Sequence, residues 1–377
     1  MIRLLLPALF LFSGCSLDIF DRNNNTTVNN KKTDIKSLGS NMKNIPPPNP
    51  TSLQEHILKL ENANTHPIEK SNHITEIEKL AENDPNAMFY LGTLYRNGKL
   101  LPLSPEKARE LYKKAADNDH IIARYYYALM LIDGEGGNSD HLEAERLLFI
   151  NHSKSHSPSS YSLAYLYFIN DEYINTIKIM EGDNIKKSKE NEYLLAISYL
   201  QTNNNIERAI ELLQSSANKN HIYSHHTLGK IYRFGIHNVN RDLEKSYFHF
   251  SAAAKDNDPK ALYQLATLGF KYPFLIENDY DVALKQLTIA ANNQYEPATF
   301  QLAKLYDQGY QIKQDYKKAL YWYQQSADFG NNQAMYNLAS MYANGDGVAE
   351  SYEKAEYWLE KAATNGNERA QKLLSEQ

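Results

Sequence analysis

A leucine followed by a small residue recurs at regular intervals along this chain. The pairs are Leu91-Gly92, Leu163-Ala164, Leu195-Ala196, Leu228-Gly229, Leu265-Ala266, Leu302-Ala303 and Leu338-Ala339, with Tyr127-Ala128 in the remaining unit. Three residues after the small residue stands Tyr95, Leu131, Tyr167, Tyr199, Tyr232, Tyr306 or Tyr342, and only Gly269 breaks the row. A second series follows all but one of the pairs: Ala108, Ala144, Ala209, Ala283, Ala319 and Ala355, with Ser246 once in the same role. Spacings of three and four put leucine, small residue and tyrosine on one helical stripe, and the later alanines on a second helix. Self-similarity at this period predicts a solenoid of stacked helix pairs, in which each unit buries its apolar face on its neighbours.

Units begin near Ala87, Ala123, Ser159, Asn191, Ser224, Ala261, Ala298 and Ala334. Steps of 36 or 37 residues dominate towards both ends, and the third and fourth units are shortened. A small residue lets two helix backbones approach closely. Gly98, Gly134, Gly235, Gly309 and Gly345 sit where the first helix should end, the position at which a left-handed residue is cheapest. Asp84-Pro85 and Asp258-Pro259 mark helix starts, since proline is tolerated in the first turn. Leu53, Ile57, Leu58 and Leu60, then Ile74, Ile77, Leu80 and Ala81, form two amphipathic stretches that predict an N-terminal cap over 53–84. The repeats then run over 85–377 as eight units, and Ala370 to Leu374 would begin a closing helix.

The last units are the most regular. Ala334-Met335-Tyr336-Asn337-Leu338-Ala339-Ser340-Met341-Tyr342-Ala343-Asn344-Gly345-Asp346-Gly347 precedes Lys354-Ala355-Glu356-Tyr357-Trp358-Leu359-Glu360-Lys361-Ala362-Ala363, and Ala319-Leu320-Tyr321-Trp322-Tyr323 matches the second helix of the unit before. This pattern resembles the Sel-one-like repeat family, related to tetratricopeptide repeats. The resemblance covers about residues 87 to 375 and is weakest between about 140 and 220. It implies an all-α fold: a right-handed superhelical solenoid of stacked antiparallel helix pairs.

The N-terminus has a different character. Arg3 is followed by the apolar run Leu4 to Phe12, then Ser13, Gly14 and Cys15, the one cysteine of the 377 residues. The run is too short to span a bilayer. Small residues after a short apolar core are the pattern of a secretory signal, here over 1–14. Leu11-Phe12-Ser13-Gly14-Cys15 resembles a bacterial lipobox, which implies that Cys15 is lipidated and becomes the first mature residue. Ser16 in place of an aspartate then implies the outer membrane, with the repeats facing the periplasm. At about 0.8 kcal/mol per buried methylene, several acyl chains anchor a protein stably. Residues 15–52, with Asn23-Asn24-Asn25, Lys31-Lys32 and Pro46-Pro47-Pro48, lack the apolar content for a core and are expected to be a disordered tether.

A net charge of -5 speaks against nucleic-acid binding, and a single cysteine excludes disulfides within the chain. No GxSxG, HExxH or Walker motif occurs, so no catalytic, cofactor or metal residue is expected. Gly134-Glu135-Gly136-Gly137 falls on the loop between two helices, as Gly345-Asp346-Gly347 does, and reads as a loop rather than a phosphate cradle. His221 and His225, and His152 and His156, have the one-turn spacing of zinc ligands. No third ligand goes with either pair, and solvated turn histidines are the expectation.

Three residues before each small residue stand Phe89, Tyr125, Tyr161, Tyr193, His226, Tyr263, Phe300 and Tyr336. Tetratricopeptide geometry puts this position on the concave side. Such a ladder serves chiefly packing, with a shared ligand role as the alternative. One turn on, Leu129, Tyr165 and Ile197 make units two to four apolar, and Lys230 and Arg233 make unit five basic. The candidate partner-binding residues are therefore Tyr125, Leu129, Tyr161, Tyr165, Tyr193, Lys230 and Arg233. The layout resembles periplasmic scaffold lipoproteins of alginate and related exopolysaccharide export. The expected function is a non-enzymatic scaffold for envelope proteins, held at the membrane by its lipid and with no defined oligomeric state. A periplasmic regulator that binds an envelope sensor or a cell-wall enzyme is the alternative, and an enzyme acting on the cell wall comes third.

Overall fold

The computed structural model describes residues 52–376, apart from 183, 184 and 186. The expected signal segment, Cys15 and the expected tether up to residue 51 lie outside them. Among the described residues every regular element is a helix. No described helix is long and apolar enough to cross a membrane. The chain divides into two compact bodies, the first ending at Leu148 and the second beginning at Phe149.

In the first body, α1 (Ser52–Glu61) and α2 (Pro67–Leu80) precede the pair α3 (Pro85–Asn97) and α4 (Pro105–Asp117), then α5 (Ile121–Asp133) and the start of α6 (His141–Ser153). The cap helices share one core with the first unit, built on Leu53, Leu60, Ile77, Leu91 and Leu94. In the second body the pairs are α7 (Ser157–Ile169) with α8 (Tyr173–Met180), α9 (Lys189–Gln201) with α10 (Ile206–Asn218), and α11 (Ile222–Phe234) with α12 (Leu243–Ala253). They continue as α13 (Pro259–Lys271) with α14 (Tyr280–Asn292), α15 (Glu296–Gln308) with α16 (Tyr316–Asp328), and α17 (Asn332–Asn344) with α18 (Tyr352–Thr364), and α19 (Glu368–Ser375) closes the body.

The two helices of a pair run antiparallel, as their contacts show. A Cβ on Gly92 would meet Tyr112 and Ala108, Thr93 Oγ1 lies 3.0 Å from Tyr112 Oη, and Tyr95 takes Lys107 over its ring. Partner numbers fall as those on α3 rise. The small residues and leucines of the pattern are the most buried residues of the fold: Ala108, Leu163, Leu228, Ala266, Leu302 and Leu338 have no exposed surface. Each buried leucine contributes about 1.5–3 kcal/mol. The third unit completes the second-helix series with Thr176, fully buried, whose hydroxyl donates to Ala164 O at 3.3 Å. Ser246 does the same to Gly229 O at 2.8 Å. A hydroxyl at this position must find an acceptor, and the facing carbonyl supplies it.

One device recurs at the start of the second helix. Ser104, Asp242, Asp315 and Ser351 cap α4, α12, α16 and α18 by accepting from the N–H of Lys107, Lys245, Lys318 and Lys354. The cap residue's own N–H donates back to the pattern tyrosine: Ser104 to Tyr95 O at 3.0 Å, Asp242 to Tyr232 O at 2.8 Å, Asp315 to Tyr306 O at 2.9 Å and Ser351 to Tyr342 O at 2.9 Å. The lysine ammonium then lies 4.9 to 5.3 Å from the centroid of that same ring. The five expected glycines do end their helices in the left-handed conformation.

Candidate protein-binding surface

Tyr125 and Leu129 lie half-buried on α5, in the first body. The other five candidates belong to the second. Tyr161 and Tyr165 stack on α7 with centroids 6.3 Å apart, and Tyr165 is exposed. Tyr193 on α9 packs against His221 at 4.8 Å and Tyr223 at 6.1 Å, and burial pushes its hydroxyl up to about 12. Ile197, expected on the same face, has no exposed surface and belongs to the core between α9, α10 and α11. Lys230 and Arg233 are half-buried on α11.

The aromatic ladder follows a simple rule. The residue three before the small residue meets the N-cap of the next unit's first helix: Phe89 stacks on His120 at 5.1 Å, Tyr193 meets His221 in a tilted contact, and Tyr263 meets Tyr295 edge-on at 5.5 Å. In unit five, His226 Nε2 lies 2.8 Å from Asp258 Oδ1. In these units the ladder joins neighbouring repeats, which is the packing role.

The histidines separate into two kinds. His120, His156 and His221 are N-caps, each preceded by a residue with positive φ, Asp119, Ser155 or Asn220. His120 Nδ1 accepts from Ala123 N at 3.0 Å, and His156 and His221 bond to Ser159 and Ser224. His225 departs from the expectation of solvated turns. It is buried on α11, its Nδ1 3.0 Å from Nδ1 of the equally buried His249 on α12, whose ring stacks on Tyr232 at 5.7 Å. Among the described residues no three His, Cys, Asp or Glu side chains stand close enough to hold a metal ion.

Unit six is where the pattern fails, and the structure shows what fills the gap. A Cβ on Gly269 would lie 3.1 Å from Ile276 Cδ1 and 3.1 Å from Ala283 Cβ. Ile276, from the 3-10 turn Pro273–Ile276, occupies the space that the tyrosine takes elsewhere. Helix α13 ends on Tyr272 rather than on a left-handed glycine. With Ile276 anchored, Tyr272 and Phe274 project from the turn, their rings 6.4 Å apart.

Beside this turn lies a cavity of about 220 Å³ lined by Arg233, Phe234, Arg241, Lys271 and Tyr272. Arg241 lies 5.1 Å over the Tyr272 ring and also donates to its hydroxyl. Lys271 lies 5.6 Å from the same ring, and Arg233 5.3 Å from that of Phe234. Arg233 also donates to Gln264 Oε1 and, at 3.1 Å, to Thr267 Oγ1 on α13. Burial, with a further contribution from the Arg241 charge, holds its guanidinium below its ordinary pKa. The signal in the sequence was Gly269 in the tyrosine row, followed by Lys271-Tyr272-Pro273-Phe274 where five of the other units have a glycine.

Comparison with known proteins agrees with this geometry. The Sel1 repeat family matches residues 85–120, 192–221, 222–258, 297–331 and 332–367. The chain carries Sel1 repeats. Among curated proteins it is 26% identical over 243 residues to the chitin synthase regulator SKT5 of Saccharomyces cerevisiae, over 59% of this chain and 35% of that one. It is 26% identical over 201 residues to an uncharacterized protein of Neisseria meningitidis, over 53% of this chain and 42% of that one. The chain thus spans well under half the length of these relatives. Among solved structures, a Sel1 repeat protein from Oxalobacter formigenes aligns with 86% of this chain and 85% of its own, at 22% identity and a TM-score of 0.48. The Sel1 matches cover units one, four, five, seven and eight. Unit six, which has lost the tyrosine, its lysine and the glycine cap, is not among them. A Sel1 fold is a protein-interaction scaffold, in which helix pairs hold side chains of successive units in fixed register.

Proposed function

We propose that this protein is a lipid-anchored scaffold of the outer membrane, which uses its Sel1 units to hold envelope proteins on the periplasmic side. The observation that carries this reading is the combination of Sel1 repeats with the segment Leu11-Phe12-Ser13-Gly14-Cys15. The repeats supply a surface for partners, and the lipidated cysteine would supply the membrane. The stacked, partly exposed Tyr161 and Tyr165 suit such a surface, because rigid aromatic side chains bury large area at low entropic cost. Tyr193, Lys230 and Arg233 complete the proposed face of the second body, and Tyr125 and Leu129 are the candidates on the first. Exopolysaccharide export is one process that such a scaffold would serve.

The regulator reading has its own support: one relative is named as a regulator of a polysaccharide-forming enzyme, chitin synthase. The partner would then be an envelope enzyme rather than an export pore. Crosslinking in intact cells followed by mass spectrometry tests both readings. Recovery of an export pore supports the first, an envelope synthase or sensor supports the second, and recovery of neither, with the protein at normal abundance, overturns the scaffold reading.

A further inference from the structure

We infer that unit six and its neighbour form a docking site for an acidic segment of a partner protein, one that presents a carboxylate beside an apolar side chain. The inference rests on the scaffold reading above. Arg233, Arg241 and Lys271 converge on one cavity of about 220 Å³. Among the described residues none of the three makes an ion pair with a carboxylate, whereas other cations do, such as Arg96 with Glu135 at 2.7 Å and Lys219 with Glu192 at 2.7 Å. Three like charges on aromatic faces, in a protein whose net charge is -5, gain from an oxyanion between them. The volume suits one carboxylate and its stem. Bidentate guanidinium pairing would supply orientation.

The second half of the site adjoins the first. A shallower groove of about 400 Å³ is lined by Glu244, Tyr247, Phe248, Ser251, Phe274 and Leu275. The Tyr272 and Phe274 rings, 6.4 Å apart in edge contact, join the two. Phe248 is 64% exposed and Phe274 58% exposed, more than packing within the chain requires. Glu244 is the one carboxylate on the rim. Apolar lining with few hydrogen-bonding groups favours a protein side chain over the hydroxyls of an acidic sugar. The turn that carries Tyr272 and Phe274 is held by Ile276 beneath Gly269 and by the bonds Asn278 N to Pro273 O at 2.9 Å and Asp279 N to Ile276 O at 2.8 Å. The platform is therefore preorganised.

The test uses the full-length protein and a fluorescent, end-blocked hexapeptide of alternating glutamate and phenylalanine, with its glutamine isostere as control. The acidic peptide should bind, weaken as salt is raised because the rim cations are exposed, and lose at least about tenfold in affinity to the Arg241→Gln/Lys271→Gln variant. Phe274→Ala should weaken the acidic peptide also. Both variants change exposed residues, and circular dichroism verifies their folding. Equal binding of both peptides, unchanged affinity in the charge variant, or tighter binding of an oligouronate than of the peptide would each overturn the inference. Crosslinking in cells separates the two levels. A partner captured equally by wild type and charge variant leaves the scaffold standing and removes this site, whereas no capture by wild type removes the scaffold.

Discussion

Gly229 lies under the ring of Phe250: a Cβ on the glycine would stand 2.8 Å from a ring carbon. Gly92 has the same relation to Tyr112, at 2.9 Å. The aromatic residue comes four after the small residue of the second helix, and at that place most other units carry leucine, as in Leu148, Leu213 and Leu287. Those units have alanine, Ala128, Ala196 or Ala266, on the first helix. Small-residue size and facing side-chain size thus vary together. Unit seven alone combines alanine, Ala303, with an aromatic, Tyr323, whose hydroxyl donates to Asp307 Oδ2 at 3.0 Å.

Adding a methyl at this contact should therefore strain the pair. Gly229→Ala is expected to destabilise the second body by about 1–3 kcal/mol. Phe250→Leu in the same chain should restore part of the loss, so that the double-mutant cycle is non-additive. Thermal melts of the four proteins check this. Strict additivity would contradict the contact.

Acid should weaken the fold before carboxylates begin to titrate. Burial lowers the proton affinity of His225, and burial followed by the His225 charge lowers that of His249 to about 4. His221 is likewise lowered by burial to about 4. The unfolded chain binds these protons near pH 6.5 while the native one still refuses them. Stability is thus fully present above about pH 6.5 and declines as pH falls towards 4. Denaturation midpoints at pH 7, 5.5 and 4.5 should show the fall. His249→Phe, which keeps a ring against Tyr232, should reduce it, and an unchanged slope would argue against the histidine pair.

Lipidation is expected at Cys15. Cys15→Ala should abolish incorporation of labelled fatty acid and release the protein from the membrane fraction. Label that persists in the variant would show that the anchor lies elsewhere or is absent.

The proposed partner face predicts a difference between two pairs of substitutions. Tyr161→Ala with Tyr165→Ala removes an exposed stack, whereas Lys230→Glu with Arg233→Glu also breaks the bonds to Gln264 and Thr267. The tyrosine pair should lower partner capture with little change in melting temperature. The charge pair should lower both. Full capture by both folded variants would move the binding surface away from this face.

The sequence by itself determined the helix pairs, because leucine, small residue and tyrosine recur at three and four residue intervals that only a helix brings to one face. It also held the cap, Ser or Asp three before Lys, in Ser104, Asp242, Asp315 and Ser351, a local signal that reasoning from the apolar stripe overlooked. Other features came only from tertiary structure. His225 and His249 are 24 residues apart and meet because α11 and α12 pack at the register set by Gly229. Tyr193 and Tyr165 hold neighbouring positions of the repeat, yet one is packed against a cap histidine and the other exposed. Arg233, Arg241 and Lys271 come from two units, and nothing in their spacing along the chain announces a shared cavity. Helical periodicity reports which residues share a face of one helix. What that face meets depends on the side-chain volumes of the neighbouring unit, and these are settled only when the units stack.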